Sequence, residues 1–299
     1  MPTLIVIAGP TASGKTRAAI SLAKHLRCPI ISADSRQFFK EMNIGTAKPN
    51  AEELSEAQHF FINNKSIDEE YSAGKFEQDA LDLLAKLFEI HTYVLLVGGS
   101  GLYIDALVKG MDDLPKNAEL RETLNKRLKV EGFESLRAEL EEIDSVYYRQ
   151  CDNQNPHRVV RALEIIHSSG KKMGEQLTFQ QKKRPFDVKY IVLDLPREVL
   201  YERINQRVDN MIKSGLLEEV ESLIRFKHKN ALQTVGYQEI FDFFENKIDL
   251  DTAINLVKQN SRRYAKRQIT WFKRIPETFW LDPEEFNNPS LILSKIGLS

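Results

Sequence analysis

Cysteine is nearly absent from this sequence, with Cys28 and Cys151 the only two among 299 residues. They form no CxxC pair, and neither belongs to a Cys/His cluster with the spacing of metal ligands. This usage argues against a disulfide framework or a structural zinc site and is typical of a reducing compartment.

The sequence also lacks a basic, apolar leader and any long hydrophobic run. Its N-terminus enters a strand pattern directly. No apolar run approaches the roughly 20 residues that cross a bilayer. We therefore expect a soluble cytoplasmic protein that does not associate with membranes.

An excess of charge of either sign is missing too. The chain has 42 Lys and Arg against 43 Asp and Glu, a formal net charge of −1. It therefore has no overall attraction to nucleic acid or anionic lipid, and any basic surface must be local. The hydrophobic fraction of 42% allows a sizeable core. The chain length predicts about two domains.

Strand and helix patterns alternate along most of the chain. Four near-continuous apolar runs predict buried strands at residues 4–8, 29–33, 93–97 and 188–195. Helical periodicity is found in residues 74–91, 199–214, 216–226 and 251–274. Buried strands that alternate with helices predict an α/β fold, a parallel sheet flanked by helices.

A helical insertion interrupts this alternation. Residues 115–186 contain no strand pattern, and their leucines recur at helical spacing, as in Leu120, Leu124 and Leu128. The sequence therefore predicts a core in two parts, residues 1–114 and 187–299, with an all-helical insertion domain between them.

A glycine-rich motif, GPTASGKT, directly follows the first apolar run. It fits GxxxxGK[ST], in which backbone N–H groups surround a diphosphate at the start of a helix. Lys15 adds a point charge, and the Thr16 hydroxyl is placed to bind Mg²⁺. The diphosphate-binding residues predicted by this motif are Gly9, Pro10, Thr11, Ala12, Ser13, Gly14, Lys15 and Thr16.

The positions of the acidic residues in the sequence favour a reaction other than simple phosphoryl transfer. Nucleoside triphosphatases and small-molecule kinases carry an Asp that holds magnesium at a strand end. Here the run at 93–97 ends in glycines, and the later Asp194 is better interpreted as a strand-end cap. Asp34 stands where the second predicted strand ends, beside the expected ligand crevice. It is a candidate general base, with a turn or capping role as the alternative.

Seven motifs resemble those of the bacterial tRNA dimethylallyltransferases, also called isopentenyl-tRNA transferases. They are GPTASGKT (9–16), DSRQ (34–37), IGTAKP (44–49), VGGSGLY (97–103), HRVVRALE (157–164), VGYQE (235–239) and RRYAKRQITWF (262–272). The resemblance implies transfer of a dimethylallyl group from its diphosphate to N6 of the adenosine 3′-adjacent to the anticodon. It also implies a P-loop NTPase-like core with a tRNA-clasping surface, and we expect a monomer.

The same resemblance assigns roles to the charged residues. The loop, Lys15 and Mg²⁺ at Thr16 would hold dimethylallyl diphosphate and stabilise the leaving pyrophosphate. An arginine of the segment ERINQRVDNM would complete this clamp, and the sequence does not choose between Arg203 and Arg207. Asp34 would remove the N6 proton. Ser100 replaces the threonine of many members and keeps a hydroxyl for tRNA.

Basic segments predict a local RNA surface on this nearly neutral chain. Residues 262–274 hold six Lys and Arg interleaved with aromatic residues, and further basic residues lie in 157–161 and 171–184. The alternative is a solvated helix whose aromatic residues belong to the core. The residues predicted to bind the tRNA anticodon stem-loop are Asp34, Ser35, Arg36, Gln37, Ser100, Arg121, His157, Arg158, Val159, Val160, Arg161, Gln233, Thr234, Val235, Gly236, Tyr237, Gln238, Arg263, Lys266 and Arg267.

Three other functions fit parts of the sequence. A P-loop kinase would use a triphosphate donor and a small acceptor. An adenylate isopentenyltransferase would prenylate free AMP or ADP, but a free nucleotide needs neither the insertion nor the basic C-terminal helix. A non-catalytic, nucleotide-dependent RNA-binding protein would leave Asp34 and the intact phosphate loop without a use.

Overall fold

The computed structural model describes residues 1–178, 181–282 and 285–298. Its strands are β1 (Thr3–Ala8), β2 (Ile30–Ser32), β3 (His59–Phe60), β4 (Tyr93–Gly98), β5 (Asp187–Leu193) and β6 (Thr278–Leu281). They form one parallel sheet in the order β3-β2-β4-β1-β5-β6. The predicted fold class, an α/β protein with a parallel sheet, is confirmed.

Helices occupy most of the remaining chain. They are α1 (Lys15–Leu26), α2 (Ala51–Glu56), α3 (Ala73–Leu87), α4 (Gly101–Lys109), α5 (Ala118–Val130), α6 (Phe133–Ile143), α7 (Ser145–Gln150), α8 (Pro156–Ser169), α9 (Met173–Gln176), α10 (Arg197–Lys213), α11 (Leu216–Ser222), α12 (Gln238–Phe244), α13 (Leu250–Phe272) and α14 (Pro289–Lys295). Short 3₁₀ turns cover Ile224–Phe226, Asn230–Leu232 and Glu285–Asn287.

The central strand β1 explains why helices cover both faces of the sheet. Leu4, Val6 and Ala8 pack into one apolar cluster, while Ile5 and Ile7 pack into another. Successive side chains of a strand point to opposite faces, so an unbroken apolar run needs cover on each. All five are fully buried. Burying a Leu, Ile or Val side chain contributes about 1.5–3 kcal/mol, so this strand anchors the core.

The strand order reverses between β1 and β4. From β1 the chain turns to β2 on one side, and from β4 it crosses to β5 on the other. The last residues of these neighbours, Ala8 and Gly98, are paired in register. Ligands of open parallel sheets bind beside the strand ends at such a reversal. The glycine motif after β1 and the VGGSGLY segment after β4 both begin there.

Two strands are missing from the sequence analysis. Both β3 and β6 lie at edges of the sheet. β3 has only two residues, which is too short to produce an apolar run. β6 follows the last predicted helical segment, which ends at residue 274. Among the described strands it pairs with β5 alone, and a local sequence pattern contains no information on such a pairing.

The chain forms two compact units. They are Met1–Lys109 with Lys183–Ser299, and Gly110–Lys182. The predicted insertion bounds of 115–186 therefore need correction. Arg184 belongs to the first unit because its guanidinium lies 2.8 Å from Glu77, and Phe186 belongs there because its ring packs against Phe88.

The second unit holds α5 to α9 and, within its described residues, no strand. Its core is formed by Leu124, Leu136, Leu140 and Leu163, which are all essentially buried. These residues include leucines from the helical periodicity in the sequence. The all-helical character of this segment agrees with the expectation.

The longest helix, α13, has 23 residues and a capped start. Asp249 accepts a hydrogen bond from the backbone N–H of Thr252 at 2.7 Å, which satisfies one of the free donors of the first turn. The buried positions include Val257, Ala265 and Phe272, while many of the other residues are charged. Within the described ranges, we find no helix with both the length and the hydrophobicity of a membrane span.

Candidate active site

An open cleft of about 760 Å³ lies where β1, β2 and β4 end, and all of its lining residues belong to the first unit. It brings together most of the residues predicted for the site in this unit. Those that line it are Thr11, Ala12, Gly14, Lys15, Thr16, Asp34, Ser35, Arg36, Gln37, Arg203, Arg207, Gln233, Thr234, Val235, Gly236, Gln238 and Arg267. Gly9, Pro10 and Ser13 are buried and do not line the cleft.

The glycine loop between β1 and α1 depends on two of its glycines. Gly9 has a φ of +154° and Gly14 a φ of +93°, values that other residues rarely adopt. A Cβ atom on Gly9 would lie 3.0 Å from the Ser13 hydroxyl oxygen and 3.3 Å from Leu193 Cβ. Gly14 is the N-cap of α1, so the free N–H groups of the first turn face the position of an anion in the loop.

Three charged side chains predicted for catalysis interact within the cleft. Lys15 Nζ donates a hydrogen bond to the carbonyl oxygen of Pro10 at 2.6 Å. Burial, and then the charge of Arg207, lower the pKa of Lys15 to about 7, and the Asp34 carboxylate opposes them. Burial also lowers the pKa of Arg207, again opposed by Asp34. Two cations and one anion therefore share a poorly solvated space.

The structure distinguishes the two arginines of α10 that the sequence left open. Arg207 is half-buried, its charge helps to lower the pKa of Lys15, and the Asp34 carboxylate opposes the lowering of the pKa of Arg207 itself. Arg203, one turn earlier, also lines the cleft but is exposed. Arg207 is therefore the better placed of the two to contact a ligand in the glycine loop.

Asp34 follows β2 and is half-buried. Its Oδ1 accepts a hydrogen bond from the backbone N–H of Arg36 at 2.9 Å, which is the local pattern of an Asx turn. The turn role considered for this residue is therefore present. It coexists with a place in the cleft beside Lys15 and Arg207, so the two interpretations do not exclude each other.

The glycine that ends β4 lets this strand end approach the segment after β2 closely. A Cβ atom on Gly98 would lie 2.4 Å from the carbonyl oxygen of Ala33, just before the candidate base. Ser100, predicted to contact tRNA, accepts a hydrogen bond from the backbone N–H of Ser35 at 3.1 Å. Tyr264 of α13 hydrogen-bonds Ser100, and burial raises the pKa of this tyrosine. Ser100 thus joins the segment after β2 to α13.

Gln268, which the sequence analysis did not select, links the glycine loop to the turn after β4. Its Oε1 accepts from the backbone N–H of Thr11 at 2.9 Å, and its Nε2 donates to the carbonyl oxygen of Gly99 at 2.9 Å. The side chain is buried, so both ends of the amide are satisfied internally. The RQITWF motif contains this residue, but its partners are more than 150 residues away in the sequence.

Two residues predicted to bind tRNA make hydrogen bonds within the protein. Tyr237 is fully buried, and its hydroxyl donates to Glu219 at 2.6 Å. The Gln37 amide donates weakly to the carbonyl oxygens of Thr46 and Ala47, at 3.4 and 3.3 Å. It also accepts from the Ser32 hydroxyl, at 3.2 Å. The Tyr237 side chain is thus unavailable to RNA, and the Gln37 amide already holds neighbouring backbone.

The RNA contacts predicted in the second unit lie partly in its core and partly on its surface. Val159 and Val160 are buried in the helical core, so their side chains are unavailable to RNA. His157 and Arg158, on the same helix, are exposed. This correction follows from the helix period, which turns consecutive motif residues toward different surroundings.

A buried carboxylate pairs with the other two predicted contacts of this unit. Glu164 is fully buried and receives Arg121 and Arg161, each at 2.7 Å, as well as the backbone N–H of Asn117 at 3.0 Å. These donors compensate the cost of burying this charge. Arg121 therefore links α5 to α8, while Arg161 pairs with Glu164 within α8 and donates to the carbonyl oxygen of Pro115 at 3.0 Å.

The basic segment of α13 divides in a similar way. Phe272 is fully buried, and the Trp271 ring packs so closely on Gly101 that a Cβ atom there would lie 2.4 Å away. The core alternative holds for these two aromatic residues. Arg263, Lys266 and Arg267 are exposed and keep their place as candidate phosphate contacts.

The parallel sheet and the phosphate-binding loop define an α/β protein of the P-loop class. Residues 37–275 match the sequence model of a family described as IPP transferase. The chain belongs to this family and is therefore a transferase, and the resemblance found in its motifs is confirmed.

Named relatives cover nearly the whole chain. The tRNA dimethylallyltransferase of Christiangramia forsetii is 50% identical over 283 residues, 94% of each chain. The crystal structure of the full-length tRNA isopentenylpyrophosphate transferase from Bacillus halodurans is 34% identical, with a TM-score of 0.73, and the match covers 99% of this chain and 97% of that one. A eukaryotic dimethylallyltransferase acting on tRNA is 25% identical, with a TM-score of 0.82, and the match covers 98% and 78%.

Proposed function

We propose that this protein transfers the dimethylallyl group of dimethylallyl diphosphate to N6 of the adenosine 3′-adjacent to the anticodon of tRNA. The observation that carries the proposal is the single cleft in which Lys15, Arg207 and Asp34 lie together. The relatives named above support the choice of donor and acceptor. In the reaction, a C–N bond forms to N6, the C–O bond to diphosphate breaks, and the N6 proton leaves.

The donor would occupy the glycine loop. Cleavage of the C–O bond places negative charge on the departing diphosphate, which is stabilised by the backbone N–H groups of the loop and by Lys15 and Arg207. Both side chains are partly desolvated, as their lowered pKa values indicate, and a charge interaction strengthens where water is excluded. This is the part of the site that lowers the barrier to departure of the leaving group.

The oxygen atoms of the cleft fit Mg²⁺ as a cofactor. The Thr16 hydroxyl lines it, and magnesium favours one or two protein oxygen ligands together with phosphate oxygens and water. The described residues contain no group of three or more His, Cys, Asp and Glu able to hold a metal alone. When bound, the ion would neutralise charge on the diphosphate.

Asp34 would act on the acceptor. A carboxylate at the end of β2 is placed to accept the N6 proton as the amine attacks. An adenine within an anticodon loop must leave its stack to reach a cleft at the edge of the sheet. The exposed cations of α13, together with His157 and Arg158 of the helical unit, are the candidate contacts to the RNA backbone.

A transfer assay tests the proposal directly. Purified protein is incubated with Mg²⁺, labelled dimethylallyl diphosphate and unmodified tRNA, and label in the RNA is located by nuclease digestion and mass spectrometry. We expect one prenylated adenosine, next to the anticodon. In parallel control reactions with AMP or ATP, label on AMP would indicate an adenylate isopentenyltransferase, and turnover of ATP with a small acceptor would indicate a kinase. Location in the cytoplasm and a monomeric state stay predictions.

Binding of diphosphate should take up a proton at pH 8 because of Lys15. With a pKa of about 7, this amine is mostly neutral at pH 8 in the free protein. The negative charge of the ligand raises the pKa, so the bound amine is protonated. Calorimetric titration with diphosphate in two buffers of different protonation enthalpy measures the uptake. We expect up to about one proton more than in Lys15→Ala at pH 8, and little difference at pH 6.

Equal proton uptake by the wild type and Lys15→Ala at pH 8 would contradict this prediction. The comparison cancels the ionisation of diphosphate itself, which both proteins share. Diphosphate binding should also be weaker in the variant, because Lys15 contacts the ligand before and during the reaction.

Replacing Arg263, Lys266 and Arg267 together by glutamine should weaken tRNA binding and flatten its salt dependence. Each lost phosphate contact removes up to about one unit from the slope of log K against log salt, and less on single strands. Binding of dimethylallyl diphosphate should not change, because the glycine loop holds it. Filter binding at several salt concentrations measures the slope.

A matched control removes three exposed cations outside α13, namely Lys24, Arg27 and Lys86. Changing these to glutamine alters the net charge equally, so it separates a local contact from a general charge effect. If both triple variants show the same salt slope as the wild type, the basic segment of α13 is ordinary surface.

A further inference from the structure

The carboxylate of Glu219, which does not line the cleft, accepts four hydrogen bonds from two segments that are far apart in the sequence. Glu219 of α11 accepts from the backbone N–H groups of Asn43 at 2.9 Å and Ile44 at 2.8 Å through Oε2. Through Oε1 it accepts from the backbone N–H of Gly45 at 3.0 Å and from the Tyr237 hydroxyl at 2.6 Å. A single side chain thus binds three consecutive backbone donors of the IGTAKP segment and its neighbour, together with the VGYQE motif.

The backbone conformation of this segment is constrained by close packing. A Cβ atom on Gly45 would lie 2.5 Å from Tyr237 Cε2, so only glycine fits against the ring. Ala47 has a φ of +44°, in the left-handed region. The Thr46 hydroxyl donates to the carbonyl oxygen of Met42 at 2.8 Å. A strained, tightly packed loop of this kind persists only when its surroundings hold it in place.

The loop forms part of the wall of the cleft and contacts the segment that contains Asp34. Gly45, Thr46 and Ala47 line the cleft, while Glu219 does not. The Gln37 amide, three residues after Asp34, donates to the carbonyl oxygens of Thr46 and Ala47. A shift of the loop would therefore change the contacts of the segment that carries the candidate base.

We propose that Glu219 is a positioning residue for the acceptor side of this site, an inference that rests on the proposed transfer to a nucleobase. A carboxylate that accepts from several N–H groups binds them more strongly than a neutral acceptor. Without its charge, the backbone N–H groups of Asn43, Ile44 and Gly45 lose a charged acceptor, and this loss costs free energy at Ile44 and Gly45, which are half-buried. The IGTAKP and VGYQE motifs have no assigned role in the chemistry. Through Glu219, both would help to hold the wall of the cleft that positions the acceptor.

The test compares Glu219→Gln with Glu218→Gln, the exposed neighbour on the same helix. Glutamine keeps the shape but presents an amide N–H₂ to two of the donors. We expect kcat/KM for tRNA to fall between about tenfold and 10²-fold, the cost of a small misplacement of reacting groups. KM for dimethylallyl diphosphate should stay within about twofold, because the glycine loop is not altered. Glu218→Gln should match the wild type in both.

Tyr237→Phe provides a milder second variant. It removes one of the four donors and leaves the three backbone bonds, so we expect the same pattern of kinetic change with a smaller loss, about two- to tenfold. Amide hydrogen exchange of Asn43, Ile44 and Gly45 supplies a measurement independent of activity. Exchange at these positions should accelerate in Glu219→Gln and not in Glu218→Gln.

Two results would overturn the positioning role. One is a folded Glu219→Gln protein with wild-type kinetics and exchange. The other is a parallel loss for both substrates with a lowered melting temperature, since that marks a general loss of stability. An inactive wild-type protein would instead contradict the proposed function, and the exchange data would still report whether Glu219 holds the loop.

Discussion

Replacing Asp34 by asparagine should lower the rate of transfer by roughly 10²–10⁴, the usual contribution of a general base. The amide oxygen can still accept the hydrogen bond that Arg36 N–H now donates at 2.9 Å to Oδ1, so the turn survives. The amide cannot take the N6 proton at neutral pH. Binding of tRNA and of the donor should therefore remain within a few-fold of the wild type.

Single-turnover rates at saturating substrates, with separate binding measurements, test this expectation. Asp194→Asn is a matched control, because Asp194 follows the strand β5, is exposed, and does not line the cleft. Its Oδ1 accepts from the backbone N–H of Leu195 at 3.0 Å, as expected for a strand-end cap. Near-normal turnover in Asp34→Asn would remove this residue from the mechanism, and an equal loss in both variants would point to a change in folding.

The glycine loop and Asp34 could be predicted because their signals are local. GPTASGKT stands between an apolar run and a helical period, and that order is enough to form a phosphate-binding loop. Asp34 ends a buried run, and a parallel sheet brings the carboxyl ends of its strands to one edge. Only short-range patterns and the general rule for open sheets were needed.

Gln268 and Glu219 could not be found in this way, because their partners are far away in the sequence. Gln268 donates to a carbonyl 169 residues distant, and Glu219 accepts from a backbone N–H 174 residues distant. A single sequence contains no record of such pairs. Both residues are buried or half-buried polar groups on helices, where they resemble ordinary amphipathic positions until the fold is known.

The error at Val159 and Val160 has a different cause. The motif HRVVRALE was taken as one functional unit, although Val159 and Leu163 already follow the helical spacing of a core. The structure buries both valines and leaves His157 and Arg158 exposed. A shared motif marks residues that matter to the protein, and helix periodicity separates those that pack from those that face solvent.

Replacing Arg207 should also lower turnover strongly, whereas replacing Arg203 on the same helix should have only a small effect. Arg207→Ala should lower turnover at saturating donor by about 10²–10³, the effect of removing one preorganised donor to a developing negative charge. Arg203 is exposed at the cleft, and Arg203→Ala should lower turnover by no more than about fivefold, as for a solvated charge contact.

Removing Arg207 should also change the ionisation of Lys15. The charge of Arg207 helps to lower the pKa of Lys15, so its loss raises that pKa above 7. Less proton uptake should then accompany diphosphate binding at pH 8 in Arg207→Ala than in the wild type. Arg203→Ala should keep the wild-type uptake, because no effect of Arg203 on the pKa of Lys15 is found.

Three variants measured together decide the assignment. Arg207→Lys keeps the charge but loses the planar guanidinium, so it should recover part of the turnover lost in Arg207→Ala. A larger loss in Arg203→Ala than in Arg207→Ala would reverse the choice between the two arginines. If neither alanine variant changes turnover with saturating donor, α10 does not contribute to the diphosphate site, and the stabilisation of the leaving group must come from Lys15, the backbone of the glycine loop and the metal ion.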